Sequence, residues 1–158
     1  MATAEQNMET SRRVLEEIPA MRHQDFRFLE EVASPDHVLH DPSAPDPEPG
    51  LNATKSHFQA YAVAFPDLRF VIQDAFASEN GNRVVTHWIM EGTNSGPMQG
   101  MPATGNSIAV EGMTIDHYDG NGILVETWNV FDTLGLVEQL GAFRRYDQAN
   151  REARLDVH

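Results

Sequence analysis

The sequence predicts an α+β fold: a curved antiparallel sheet wrapped on N-terminal helices, closed by a C-terminal helix into a cone-shaped barrel. Three observations predict it. Apolar residues recur at helical spacing over residues 10–33 and 52–64. Four strand-like runs joined by turn-rich connections then fill residues 68–131. Helical spacing returns over residues 133–147. A strongly twisted sheet curled against its helices leaves a cavity at its wide end. The 158 residues are expected to form one domain, with its core at about 10–147 and loose termini.

Residues 1–9 are small and polar and are expected to fray. In 10–33, Val14, Leu15 and Ile18 make one stripe, and Phe26, Leu29 and Val32 a second; Pro19 makes them two helices or one kinked helix. Ser34-Pro35-Asp36 signals a stop and a turn. A short apolar piece, 37–41, runs into the proline-rich loop 42–50. Asn52 is a suitable cap for the next helix, whose buried face carries Leu51, Phe58, Tyr61 and Phe65 and which Pro66 ends. The strand-like runs are 68–77, 83–93, 107–118 and 123–131. Turn residues Glu79-Asn80-Gly81-Asn82 and Asp119-Gly120-Asn121-Gly122 mark two hairpins, and a long Gly- and Pro-rich connection covers 94–106. In the last helix Leu134, Val137, Leu140 and Phe143 or Arg144 share a side, and the tail 148–158 is polar.

Composition narrows the function. A net charge of −13 argues against nucleic acid and against an anionic membrane surface, since both need clustered Lys and Arg. With no cysteine there is no disulfide, thiolate catalysis or Cys-based zinc site. The N-terminal residues carry no signal-peptide pattern, and no run approaches the roughly 18 apolar residues of a membrane span, so a cytoplasmic protein is expected. Nucleotide fingerprints, phosphate loops and Ser-based nucleophile elbows are absent, and no cofactor is expected.

The chemistry centres on Glu126-Thr127-Trp128-Asn129-Val130-Phe131-Asp132, a strand turning into a helix. Strict alternation puts Leu124, Glu126, Trp128, Val130 and Asp132 on one face. Asp132 is the leading acid/base candidate; its alternative is to cap the following helix. Phe58, Tyr61, Phe65, Trp88, Met90 and Trp128 form an apolar group suited to core or cavity wall. Met113, Ile115 and His117 share one strand face and are expected beside Leu124 and Glu126; a register slip of one would turn Asp116 and Tyr118 inward instead. His40 is a candidate pocket donor. His37, His40, Asp36 and Asp41 match no standard metal spacing, so no metal is expected. Val85, His87 and Ile89 face outward, which points to a homodimer or a higher homo-oligomer.

Four motifs in order resemble the SnoaL-like polyketide cyclases of the nuclear-transport-factor-two-like superfamily. They are His40-Asp41-Pro42, Phe65-Pro66-Asp67-Leu68, Glu91-Gly92-Thr93 running through Gly100-Met101-Pro102, and Val125-Glu126-Thr127-Trp128 through Asp132-Thr133-Leu134-Gly135. The resemblance implies a cone-shaped α+β barrel that closes a ring by a cofactor-free intramolecular aldol reaction. It also implies that Asp132 is the general acid/base; for the developing enolate, the residues themselves offer His40, His117 or Tyr118 as donor. Asn94 stands where relatives often have histidine, and the turn 119–122 is longer than usual. The expected function is cofactor-independent acid/base chemistry (cyclase, lyase or isomerase) on a small hydrophobic carbonyl compound. The alternative is a non-catalytic binding protein using the same cavity.

Overall fold

The computed structural model describes residues 1–44 and 49–142. Helix α1 (Ala4–Glu17) starts far earlier than expected, because Thr3 and Gln6 form a capping box. The Thr3 hydroxyl accepts from the Gln6 amide at 3.1 Å, and the Gln6 side chain accepts from the Thr3 amide at 2.8 Å. The N-terminus is further tied down by Asn7, whose amide donates to Gly81 O at 2.9 Å across the fold. At Pro19 the chain tightens into a 3₁₀ helix (Ile18–His23), which Gln24 closes in the left-handed region. The short α2 (Arg27–Val32) follows.

Strand β1 (Ala33–His40) was not foreseen as part of the sheet. It pairs parallel to β5 (Leu124–Phe131), so the sheet is not purely antiparallel. The Ser34-Pro35-Asp36 turn signal lands inside this strand, between the paired residues Ala33 and Val38, where the register breaks. A proline without an N–H is tolerated there because the stretch is unpaired and lies on an edge strand. Helix α3 (Leu51–Ala64) is preceded by Gly50 at φ 118°, two residues earlier than the predicted cap, Asn52. Strands β2 (Arg69–Ala77), β3 (Arg83–Thr93), β4 (Ser107–Tyr118) and β5 then form successive antiparallel pairs. The five strands run in the order β1-β5-β4-β3-β2, a curved sheet that does not close. Helix α4 covers Thr133–Gln139. The rest of the helix predicted to residue 147, with Phe143 and Arg144, and the tail 148–158 lie outside the described residues.

The concave face buries Val84, Trp88, Met90, Val110, Tyr118 and Leu124 against Val14, Ile18, Met21 and Leu29 from the helices. Strand β4 alternates cleanly, with Thr114, Asp116 and Tyr118 inward and Met113, Ile115 and His117 outward. The inward placement of Asp116 and Tyr118 is the slipped register weighed above. The irregularity lies in β5 and changes the facing of that strand. Tyr118 pairs with Leu124, but His117 pairs with Glu126, leaving Val125 as one extra residue. A one-residue bulge reverses the face of everything beyond it. Thr127, Asn129 and Phe131 therefore turn into the cavity, and Glu126, Trp128 and Val130 turn out.

Candidate functional site: a cavity between two helices and the sheet

Helices α1 and α3 stand over the concave sheet face and leave a cavity between them. Its helix side carries Val14, Leu15, Ile18, His57, Phe58 and Tyr61; its sheet side carries Phe70, Trp88, Met90, Leu124 and Phe131. Polar groups are few: Ser11, His37, Thr114, Asp116, Thr127 and Asn129. The space between these side chains is ≈ 620 Å³ counted out to where it meets solvent, and only ≈ 40 Å³ admits the centre of a water-sized sphere.

Trp88 shapes the floor. Its six-membered ring lies over Gly112, where an added Cβ would be 2.3 Å from the indole. Only glycine at that strand position leaves room for the ring. The indole N–H donates to Thr114 Oγ1 at 2.9 Å, and that hydroxyl donates over 3.5 Å to Asn129 Oδ1. This places the Asn129 oxygen on the Thr114 side, and the Asn129 NH₂, on a residue that lines the cavity, has no partner among the described residues.

A second polar group joins both helices to the sheet. Asp116 is fully buried; it accepts from the Ser11 hydroxyl at 2.6 Å and from the Thr127 hydroxyl at 2.7 Å. Tyr118 bonds to Ser11 at 2.7 Å. His37 lies 3.0 Å from Thr127 Oγ1 and 2.9 Å from Thr54 Oγ1. Since Thr127 donates to Asp116, it accepts from His37 Nε2–H, and Nδ1 accepts from Thr54. Burial raises the Asp116 carboxyl above its ordinary value, with Ser11 and Thr127 opposing, and burial lowers His37 to about 4.

The third group pairs His57 with Asp41. His57 Nε2 is 3.3 Å from Asp41 Oδ2, and neither atom has a hydrogen-bond partner. The Asp41 side chain is only 2% exposed. Its other oxygen accepts from the Ser43 amide at 2.9 Å and the Ser43 hydroxyl at 2.5 Å, so the carboxylate is held in place. Burial lowers the His57 pKa while the Asp41 charge opposes it; Tyr61, whose ring centroid is 5.3 Å from that of His57, is raised by burial and then by Asp41. His57 is thus a neutral imidazole, and Tyr61 keeps its proton.

Several predicted site residues lie elsewhere. Asp132 is exposed and caps α4, accepting from the Gly135 amide at 2.8 Å. It is not in the cavity, because the Val125 bulge turns the end of β5. Trp128 is on the outer face, stacked on His40 with centroids 4.7 Å apart and planes 15° from parallel. His40 is bonded there to Glu126 at 2.8 Å, and His117 lies 3.9 Å from the same carboxylate. Both histidines are brought together, but outside the cavity. Met113 and Ile115 are also exposed on that face. Phe65 is wholly buried in the core. Phe58, Tyr61, Trp88 and Met90 do line the cavity. His57, Asn129, Thr127 and Ser11 were missed. The spacing of His57 to Tyr61, one helical turn, was a readable signal; the inward turn of Asn129 was not, since it depends on the bulge. No group of three or more His, Cys, Asp or Glu among the described residues could hold a metal ion.

Residues 10–140 match the family model of the SnoaL-like polyketide cyclases. The chain belongs to that family. Solved structures of SnoaL-like and related proteins share its fold. A candidate polyketide cyclase from Acidithiobacillus ferrooxidans is 30% identical, with 84% of this chain and 92% of that chain covered and a TM-score of 0.69. IdmH from Streptomyces antibioticus, another candidate polyketide cyclase, is 25% identical over 86% of this chain and 99% of that one, with a TM-score of 0.71. A candidate SnoaL-like cyclase from a Jannaschia species superposes with a TM-score of 0.75 at 22% identity, covering 87% and 93% of the two chains, a likeness of fold. Among curated proteins no sequence match is found. As a SnoaL-like protein the chain has no described helix long and apolar enough to cross a membrane.

Proposed function

We propose that this SnoaL-like protein is a cofactor-free acid/base enzyme for a small, flat, hydrophobic carbonyl compound, closing a ring by intramolecular aldol addition or carrying out a related isomerisation. The observation that carries the reading is the cavity itself. Aromatic and aliphatic walls enclose few polar groups, and the Asn129 amide is oriented with its donors unspent. A carbonyl oxygen placed on Asn129 gains a hydrogen bond that strengthens as charge develops on that oxygen. A proton then leaves the carbon between two carbonyls. The enolate carbon bonds to a second carbonyl carbon, and the resulting alkoxide takes a proton, so no atom is gained or lost. Tyr61, kept protonated by its surroundings, is a second donor on the helix side. In the same proposal the protein works as a homodimer joined through the outer sheet face.

The test uses aromatic 1,3-diketones and longer linear polyketones, read by fluorescence quenching of buried Trp88 and by product formation. Saturable binding and a cyclised product are expected. Asn129→Leu is expected to weaken ketone binding about tenfold, the worth of one hydrogen bond of roughly 1.4 kcal/mol. Absence of saturable binding across the series sinks the proposal. One observation favours a second reading, binding without turnover: both oxygens of the cavity carboxylate Asp116 are already engaged. Tight ketone binding with no product would select it.

A further inference from the structure

We infer that His57 and Asp41 are the proton-transfer pair of this cavity, with His57 as the general base and Asp41 as its positioning residue. The inference rests on the reading of the cavity as an acid/base site for carbonyl compounds and supplies the base that Asp132, capping α4, does not. Four observations carry it. His57 lines the cavity from the middle of α3. Its Nε2 faces a carboxylate oxygen at 3.3 Å, and both atoms are buried with no other partner. Two buried polar atoms facing one another without relief from elsewhere are costly unless they serve each other. Asp41 Oδ2 is the nearest acceptor for a proton on Nε2, although the pair falls short of hydrogen-bond geometry; that tautomer leaves Nδ1, which has no partner among the described residues, as the basic nitrogen. The orienting carboxylate is itself fixed, through its other oxygen, by Ser43. A nucleophile or base oriented by a third, held group is the arrangement that proton-transfer catalysis needs.

The other titratable groups around the cavity do not compete. His37 has a hydroxyl on each nitrogen, and Asp116 a hydroxyl on each oxygen. The groups facing His57 are Asp41, from the segment after β1, and Tyr61, one turn further along α3. Tyr61 stays neutral, so Asp41 is the charge that His57 feels. When His57 takes the substrate proton at Nδ1, the imidazolium is stabilised by Asp41, and the same proton is available for the alkoxide formed on ring closure. The 3.3 Å contact between neutral His57 and the Asp41 carboxylate is expected to tighten once His57 becomes an imidazolium.

The test separates the base from the natural substrate. The probe is 5-nitrobenzisoxazole, a small flat molecule whose ring opens when a base removes its C3 proton. The C–H electron pair forms the nitrile, the N–O bond breaks, and its electrons stay on oxygen as a coloured phenolate. Wild-type protein is expected to accelerate this elimination above buffer. His57→Gln is expected to lose at least about tenfold of that acceleration, and the wild-type rate should rise to a plateau with a midpoint below the ordinary histidine value of 6.5. Asp41→Asn is expected to slow the reaction and move the midpoint lower still, because the charge that favours the imidazolium is gone. A merely structural Asp41 would not move the midpoint. If His57→Gln does not fold by circular dichroism, the midpoint of Asp41→Asn decides. No acceleration by the wild type, equal rates for His57→Gln, or an unmoved midpoint in Asp41→Asn overturns the inference. Diketones that bind and cyclise equally well with His57→Gln would overturn it while leaving the proposed function standing. His57-dependent elimination with no diketone binding would do the reverse.

Discussion

His37 shows how burial sets chemistry one residue at a time. It is 1% exposed, with a threonine hydroxyl on each ring nitrogen and no carboxylate in contact. Charging it would remove an acceptor from Thr54 and place a cation in an apolar wall, so its pKa falls to about 4. The unfolded chain binds that proton near 6.5, before the folded chain does. The His37 contribution is therefore intact above pH 6.5 and is lost as pH falls from 6.5 toward about 4, by at most about 3 kcal/mol. Urea denaturation at several pH values should show wild type losing stability over that window, and His37→Gln losing less of it. Identical pH dependence in the two proteins would contradict the assignment. Asp116 works in the opposite sense: its raised pKa means that ionisation costs stability above the ordinary aspartate value, with two hydroxyl donors limiting the loss.

At the scale of elements, irregularities do the positioning. The extra residue Val125 selects which half of β5 sees the cavity. A second irregularity, at Gln73 in β2 between Ile72 and Asp74 on the far side of the sheet, adds to the curvature that makes the sheet concave. The long connection from β3 to β4 is organised by one side chain. The Asn94 amide donates to Ala64 O at 3.2 Å and Gly96 O at 2.9 Å, and its oxygen accepts from the amide and hydroxyl of Thr104 at 2.9 and 3.0 Å. The place of Asn94 is in the loop scaffold. Asn94→Ala is expected to cost about 2–3 kcal/mol, because buried backbone groups lose their partners. A shift in denaturation midpoint equivalent to under about 0.5 kcal/mol would show that the loop holds itself together.

The whole molecule presents two unlike faces. The concave side is packed under α1 and α3, whereas the convex side exposes Met113 (50%), Ile115 (39%) and Val130 (55%). Met113 pairs with Val130 and Ile115 with Trp128, so these side chains form one continuous strip across β4 and β5. The His40–Glu126 and His87–Glu111 pairs border it. An exposed apolar strip of this kind is expected to be covered. The expected outcome is a dimer mass in light scattering for the wild type and a monomer mass for the double variant Met113→Lys, Val130→Glu, with unchanged circular dichroism. A wild-type monomer at micromolar concentration would remove the homodimer from the proposal. The net charge of −13 opposes close approach of two copies, so the dimer should strengthen with added salt.

Local pattern by itself determined the element types, because period, proline and turn chemistry act over a few residues. The helical stripe of Phe58 and Tyr61, the strands 83–93 and 107–118, both hairpins and the family followed from it. So did the aromatic cavity walls Trp88 and Met90. The parallel pairing of β1, the capping of α1 and the facing of β5 were decided only by tertiary structure. A single unpaired residue inverts a strand's faces without changing its composition, so alternation put Trp128 and Asp132 where Asn129 and Phe131 belong. The meeting of His57 with Asp41 is likewise a matter of tertiary structure. The two lie 16 positions apart on a helix and a loop, and only the packing of α3 against the end of β1 closes the distance to 3.3 Å.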